Sequence, residues 1–104
     1  MGTSRIDALK TMIDRNPNDP RLRFGLALEY EKLGEWEQVV RELQEYLALA
    51  EDEGNAWGRL GNALRELGRD DEAKDAYRKG IDAAYRHGHP SMAAEFEEIL
   101  EEWA

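Results

Sequence analysis

Apolar residues recur at three- and four-residue spacings along most of the chain, and short clusters of glycine, proline, asparagine and acid interrupt them. That spacing puts the apolar positions on one face of a helix. Strand signals are weak: Val39-Val40 is the only β-branched pair, and no run alternates with period two. The pattern predicts six helices. The first covers 4–15, with Ser4 as cap, Asp7 at the capping-box position, and Ile6, Leu9, Met12 and Ile13 as its apolar face. Asn16-Pro17-Asn18-Asp19-Pro20 breaks it. Asp19 is a good N-cap and Pro20 suits the first helical position of a second helix, which runs to Leu33 and stops at Gly34. The third covers 36–50 and ends at Glu51-Asp52-Glu53-Gly54. The fourth covers 55–67 and stops at Gly68. The fifth covers 70–87, capped by Asp70 and stopped by Gly88. The sixth starts near Pro90 and runs to Trp103, with Met92, Phe96, Ile99 and Trp103 on one stripe. Glu97, Glu98 and Glu101 fall on its back and predict a solvated capping face, with an acidic docking surface as the minor reading.

The breaks are regular. Gly34 and Gly68 are 34 residues apart, and at that offset Leu26 falls on Leu60, Ala27 on Gly61, Tyr30 on Leu64 and Leu33 on Leu67. Val39 falls on Ala73, Leu43 on Tyr77 and Leu47 on Ile81. Large apolar residues align with large, and small with small. A period of 34 residues with two helices per repeat predicts a helical solenoid, in which each pair covers its apolar face by stacking on the next.

Trp57-Gly58-Arg59-Leu60-Gly61-Asn62-Ala63-Leu64, followed by Gly68, Glu72-Ala73 and Tyr77, resembles a tetratricopeptide repeat, whose pattern is W-x2-L-G-x2-Y, then a small residue, then an aromatic. Leu64 stands in for the usual tyrosine. The stretch from Pro20 to Glu53 is similar but looser: Tyr30 and Gly34 fit, while Arg23 stands where Trp57 does and Tyr46 where Gly80 does. Asn16-Pro17-Asn18 resembles the close of a preceding repeat. The resemblance implies an all-α fold, a right-handed superhelical α-solenoid of antiparallel helix pairs. It implies a single domain over 1–104, with a half-repeat helix at 4–15, repeats at 20–53 and 54–88, and a capping helix at 90–103. The fifth helix is about a turn longer than the family's usual, and its proline is delayed to Pro90.

Helical wheels separate residues that pack from residues left over. Leu22, Leu26, Tyr30 and Leu33 share one face of the second helix, while Phe24 and Leu28 lie nearly opposite, near Arg21 and Glu31. On the fourth helix Trp57, Leu60, Gly61 and Leu64 share the packing face, and Asn55, Arg59 and Asn62 project from the other side, flanked by Gly58 and Arg65. The resemblance implies that first helices line a concave groove and brings these two sets side by side. A candidate peptide-binding groove therefore comprises Arg21, Phe24, Leu28, Asn55, Arg59, Asn62 and Arg65. Asparagine can bond both a backbone N–H and a C=O of an extended peptide, and Arg59 offers a planar fork to a carboxylate in a locally basic groove. Phe24 and Leu28 take an apolar side chain, or else pack beneath a neighbouring helix or a dimer partner. Some members of the family clamp the C-terminal carboxylate of chaperones. Asn62 matches one asparagine of that clamp, but Gly58 stands where its lysine is expected and the sixth helix has no Lys/Arg pair, so chaperone tails are not expected.

Composition narrows the function. The 104 residues hold 23 acids and 14 bases, a formal charge of −9, which argues against DNA or RNA because phosphate binding needs a basic face. No cysteine is present, so disulfides and thiol chemistry are excluded. No apolar run approaches a membrane span, and Met1-Gly2-Thr3-Ser4-Arg5 lacks the apolar stretch of a signal peptide, so no membrane partner and a cytoplasmic location are expected. His87-Gly88-His89, with Asp82 or Glu95, is the nearest approach to a metal site. Its place at a helix end and turn favours a helix-dipole role for His87 and a neighbour-of-cap role for His89. Asp70-Asp71-Glu72 lacks the pattern of a calcium loop. No phosphate loop or catalytic triad is present, and no cofactor or metal is expected. These readings converge on a non-catalytic protein–protein interaction module, an adaptor or scaffold. The alternative is a self-associating homodimer, meeting through Trp103 and Met92 on the end helix, with Trp36 contributing.

Overall fold

The computed structural model describes residues 2–103. Six helices follow one another: α1 (Gly2–Arg15), α2 (Pro20–Leu33), α3 (Trp36–Leu49), α4 (Asn55–Glu66), α5 (Asp70–Arg86) and α6 (Pro90–Trp103). No strand occurs among the described residues. The helices form two compact units, Met1–Glu51 with α1–α3 and Asp52–Ala104 with α4–α6.

The helix boundaries have local causes. The side chain of Asp19 accepts a hydrogen bond from the Arg21 backbone N–H at 3.0 Å, and Pro20 opens α2, as the sequence predicts. Gly34 and Gly68 end α2 and α4 at φ 69° and 74°, a left-handed backbone that costs glycine nothing. Two expected caps are not caps. Ser4 lies inside α1, which already begins at Gly2, because nothing at Gly2 or Thr3 forbids helical backbone. Asp70 is the first residue of α5, and Arg69 occupies the cap position without a side-chain cap bond. Asp70, Asp71 and Glu72 instead line the first turn, where negative charge complements the helix dipole. The sequence also missed a cap. Asp52, buried in the loop before α4, accepts from the backbone N–H of Gly54 at 2.8 Å and of Ala56 at 2.9 Å. It supplies the bonds that Gly54, at the cap position, has no side chain to make. α5 is long, with 17 residues against 14 in α3.

In the first unit α1 packs on α2 and α2 on α3. Ile6, Ile13 and Leu26 form a core cluster, with Leu9, Leu22 and Tyr30 against it. Met12 and Leu33, expected on apolar faces, are exposed at 48% and 51%. Leu33 is the last residue of α2, and Met12 lies beside the stripe that Ile6, Leu9 and Ile13 present to α2. Ala27 on α2 and Val39, Val40 and Leu43 on α3 are buried. Charge is also buried here. Glu29 pairs with Arg5 at 3.0 Å and Lys32 at 3.1 Å, and Glu42 pairs with Arg23 at 3.0 Å. In the second unit α5 packs on both α4 and α6. Alanine and glycine dominate its contacts: Ala63, Ala73 and Ala84 are fully buried, and Tyr77 is the largest wholly buried side chain. Burial follows the 34-residue offset at Leu26 and Leu60, Ala27 and Gly61, Val39 and Ala73, and Leu43 and Tyr77.

Two outcomes follow. Ala73→Leu forces a large side chain into a filled position and should cost about 1–3 kcal/mol in urea denaturation. Glu98→Gln, on an exposed face, should stay within about 0.5 kcal/mol, and equal effects would contradict the burial pattern. The second concerns Glu29, whose carboxyl is held below its ordinary 4.5 by the Lys32 hydrogen bond first, opposed by burial and helped by the charges of Lys32 and Arg5. Below 4.5 the folded chain thus binds fewer protons at this group than the unfolded one, so stability rises with pH there. The contribution is whole above 4.5 and is lost as the pH falls through the lower folded value. Glu29→Gln should lower the urea midpoint at neutral pH and flatten its decline in acid. An unchanged acid limb would show that the pairing does not stabilise the fold.

Candidate functional site

The second unit has a cavity of about 280 Å³ between α4 and α6. From α4 it is lined by Asn55, Gly58, Arg59 and Asn62, residues at three- and four-residue spacings on one face. From α6 come Met92, Glu95 and Phe96.

Two glycines create the seat for α6. A Cβ at Gly58 would lie 2.5 Å from the Phe96 ring, and one at Gly80 would lie 2.9 Å from it. Phe96 therefore rests where α4 and α5 present backbone instead of side chain, and it is only 8% exposed. Its ring centroid is 5.9 Å from that of Tyr77. Met92 lies over Gly54, where a Cβ would come within 2.7 Å of its sulfur. At the N-terminus of the same helix, His89 Nε2 meets Glu53 Oε1 at 2.6 Å. That hydrogen bond is the first cause of a lowered Glu53 carboxyl pKa.

Polar groups on the cavity wall differ in how far they are committed. The buried Tyr77 hydroxyl donates to Asn62 Oδ1, which leaves the Asn62 amide nitrogen as a donor. Burial raises the Tyr77 pKa, and the Arg65 charge and hydrogen bond partly offset the rise. Arg59 is half-buried and engaged within the protein. The side chains of Asn55 and Glu95 take part in no hydrogen bond or ion pair among the described residues.

Three of the seven residues singled out in the sequence thus come together: Asn55, Arg59 and Asn62. Arg65, also on α4, turns to the C-terminal end of α6, its guanidinium 4.4 Å from the Trp103 ring centroid. The remaining three belong to the first unit. Arg21 pairs with Asp19 at 3.1 Å, Phe24 is half-buried with its ring 5.1 Å from that of Tyr46, and Leu28 is half-buried. Arg65 is spent on Trp103 and Glu95 stands on the wall, so the cavity is less basic than the sequence suggested. Met92 and Trp103, offered by the sequence as an edge for a second copy, are packed within their own unit, Trp103 against Tyr77, Arg65 and Lys74. Among the described residues no group of three His, Cys, Asp or Glu side chains is placed to hold a metal ion. No helix there is long and apolar enough to cross a membrane.

Glu95 and Phe96 were missed as site residues, although the sequence held a signal. Phe24 and Tyr46, whose rings pack against each other at a tilt, fall at the repeat offset on Gly58 and Gly80. Two large side chains lost at one place in the second repeat call for a filler from elsewhere.

The sequence model of the tetratricopeptide repeat matches residues 54–87. Over 77 residues the chain is 31% identical to a small glutamine-rich tetratricopeptide repeat-containing protein of Mycosarcoma maydis, covering 74% of this chain and 22% of that protein. It thus spans about a fifth of that relative's length. It is 27% identical over 95 residues to a TPR repeat-containing protein of Pseudomonas aeruginosa, covering 91% of this chain and 90% of the other. The solution structure of a Bordetella parapertussis protein shares the fold, with a TM-score of 0.77 and 24% identity over 93% of this chain and 84% of that one.

The seat of Phe96 is open to test. Gly58→Ala should cost about 1–3 kcal/mol in urea denaturation, because the new methyl meets a ring with little room to retreat. Adding Phe96→Leu should restore part of that loss, making the pair less than additive. Strict additivity would show that the two positions do not share the contact.

Proposed function

Because the chain belongs to the tetratricopeptide-repeat family, whose domains generally join protein to protein, we propose that it is a non-catalytic adaptor that binds an extended partner segment on the exposed face of α4. The observation that supports this reading is the α4–α6 cavity, whose wall carries the Asn55 amide and the Asn62 amide nitrogen, neither of them used by the fold. Asn55 offers both a donor and an acceptor to a peptide backbone, and Asn62 offers the donor that Tyr77 leaves it. These residues sit seven positions apart on α4, a separation of about 10 Å along a helix and matched by about three residues of extended chain. Arg59, between them, contributes to the same face. Arg21, Phe24 and Leu28 are assigned the corresponding role on α2, with Phe24 and Leu28 offering apolar contact to a partner. Arg65 borders the α4 face near Trp103.

Self-association is the weaker reading, since Met92 and Trp103 already have neighbours within the second unit. The deciding experiment compares wild type with Asn55→Ala/Asn62→Ala, checked for folding by circular dichroism, as baits in lysate of the source cells. A protein held by wild type and lost by the variant is the expected result. A protein held equally by both moves binding to another face. Recovery of nothing but the chain's own copies, with a doubled mass in solution, would replace the adaptor by a self-assembling module.

A further inference from the structure

Resting on the peptide-binding reading above, we infer that the α4–α6 cavity receives a lysine or arginine side chain of the bound segment, with Glu95 as its counter-ion. The charge balance on the wall points this way. Arg59 is engaged within the protein, whereas Glu95 is in no hydrogen bond or ion pair among the described residues. Glu95 is therefore the charged group on the wall that no side chain among the described residues meets. The Asn55 amide and the Asn62 amide nitrogen flank it and suit the neighbouring backbone.

The floor suits the rest of such a side chain. Met92 and the Phe96 ring supply apolar surface, and Gly58 contributes backbone alone. A lysine or arginine stem lies along apolar surface of this kind while its head reaches a carboxylate, and the aromatic ring adds attraction for the cation. A carboxylate in the same place would face Glu95 and repel it.

The wider field agrees. α6 carries five glutamates, at 95, 97, 98, 101 and 102, and no lysine or arginine. The whole chain has a formal charge of −9. Such a field draws a cationic segment in and slows the approach of an acidic one.

The test uses a library of acetylated, amidated octapeptides in which one central position is lysine, norleucine or glutamate and the flanking positions vary. Binding is read by fluorescence polarisation against wild type, Glu95→Gln, Asn55→Ala/Asn62→Ala and Glu98→Gln. The expected result is that lysine peptides bind best and norleucine costs about tenfold, the size of one charge-assisted bond. Glu95→Gln should remove that preference, while Glu98→Gln, equal in charge but on the exposed back of α6, should change affinity by less than about twofold. The asparagine pair should weaken lysine and norleucine peptides alike. If norleucine or glutamate peptides bind wild type as well as lysine ones and still need the asparagines, the groove stands and the cation preference is overturned. If binding is indifferent to the asparagines, or no peptide binds, the groove reading falls and the cation inference with it.

Discussion

The second unit depends on a side chain seated against bare backbone. Phe96 of α6 occupies the space beside Gly58 on α4 and Gly80 on α5, so one ring touches all three helices of the unit. Close-packed interiors tolerate neither a void nor an extra methyl at such a point. The seat fixes the position of α6, and with it Met92 over Gly54 and Trp103 beside Tyr77. The cavity follows from the same arrangement. It opens where Gly58 adds no side chain to the α4 face, and Phe96 forms part of its lining.

The two repeats meet one packing requirement with different chemistry. In the first, the Phe24 and Tyr46 rings pack at a tilt within the repeat, and Arg23 pairs with buried Glu42 at 3.0 Å. In the second, glycines replace both aromatics, Trp57 stands for Arg23, and Ala76 stands for Glu42. Trp57 lies close to Gly80, and the Lys79 ammonium is 5.3 Å from its ring centroid. The exchange removes a charged pair, which in a half-buried setting stabilises only when both partners are present. It also frees a face of α4 that the first repeat fills by itself. Concavity in the second unit is thus a consequence of residues lost.

What surrounds the cavity then sets its character. Tyr77 belongs to the core, yet its hydroxyl reaches Asn62 and decides which end of that amide remains available. Arg65 and Lys74 flank Trp103, taking cationic side chains toward the end of α6. Core and surface are therefore coupled: residues that hold the unit together also dictate which charges and which donors are left for a partner.

The sequence by itself determined the helices, their stops at Gly34, Gly68 and Gly88, and the repeat-paired interior positions such as Leu26 and Leu60 or Leu43 and Tyr77. These depend on backbone sterics and on apolar spacing, both local in the chain. It also singled out Asn55, Arg59 and Asn62 as residues the packing face of α4 does not need. Only the tertiary structure decided the rest. Asp52 is a cap because the loop folds back on α4. Met12 and Leu33 are exposed because no neighbouring helix covers them, whatever their place on a wheel. Arg65 is withdrawn by Trp103, which lies 38 residues further along the chain, and Glu95 joins the site from another helix. Spacing along one helix reports which residues share a face. What that face meets depends on contacts between distant segments, and those exist only once the chain has packed.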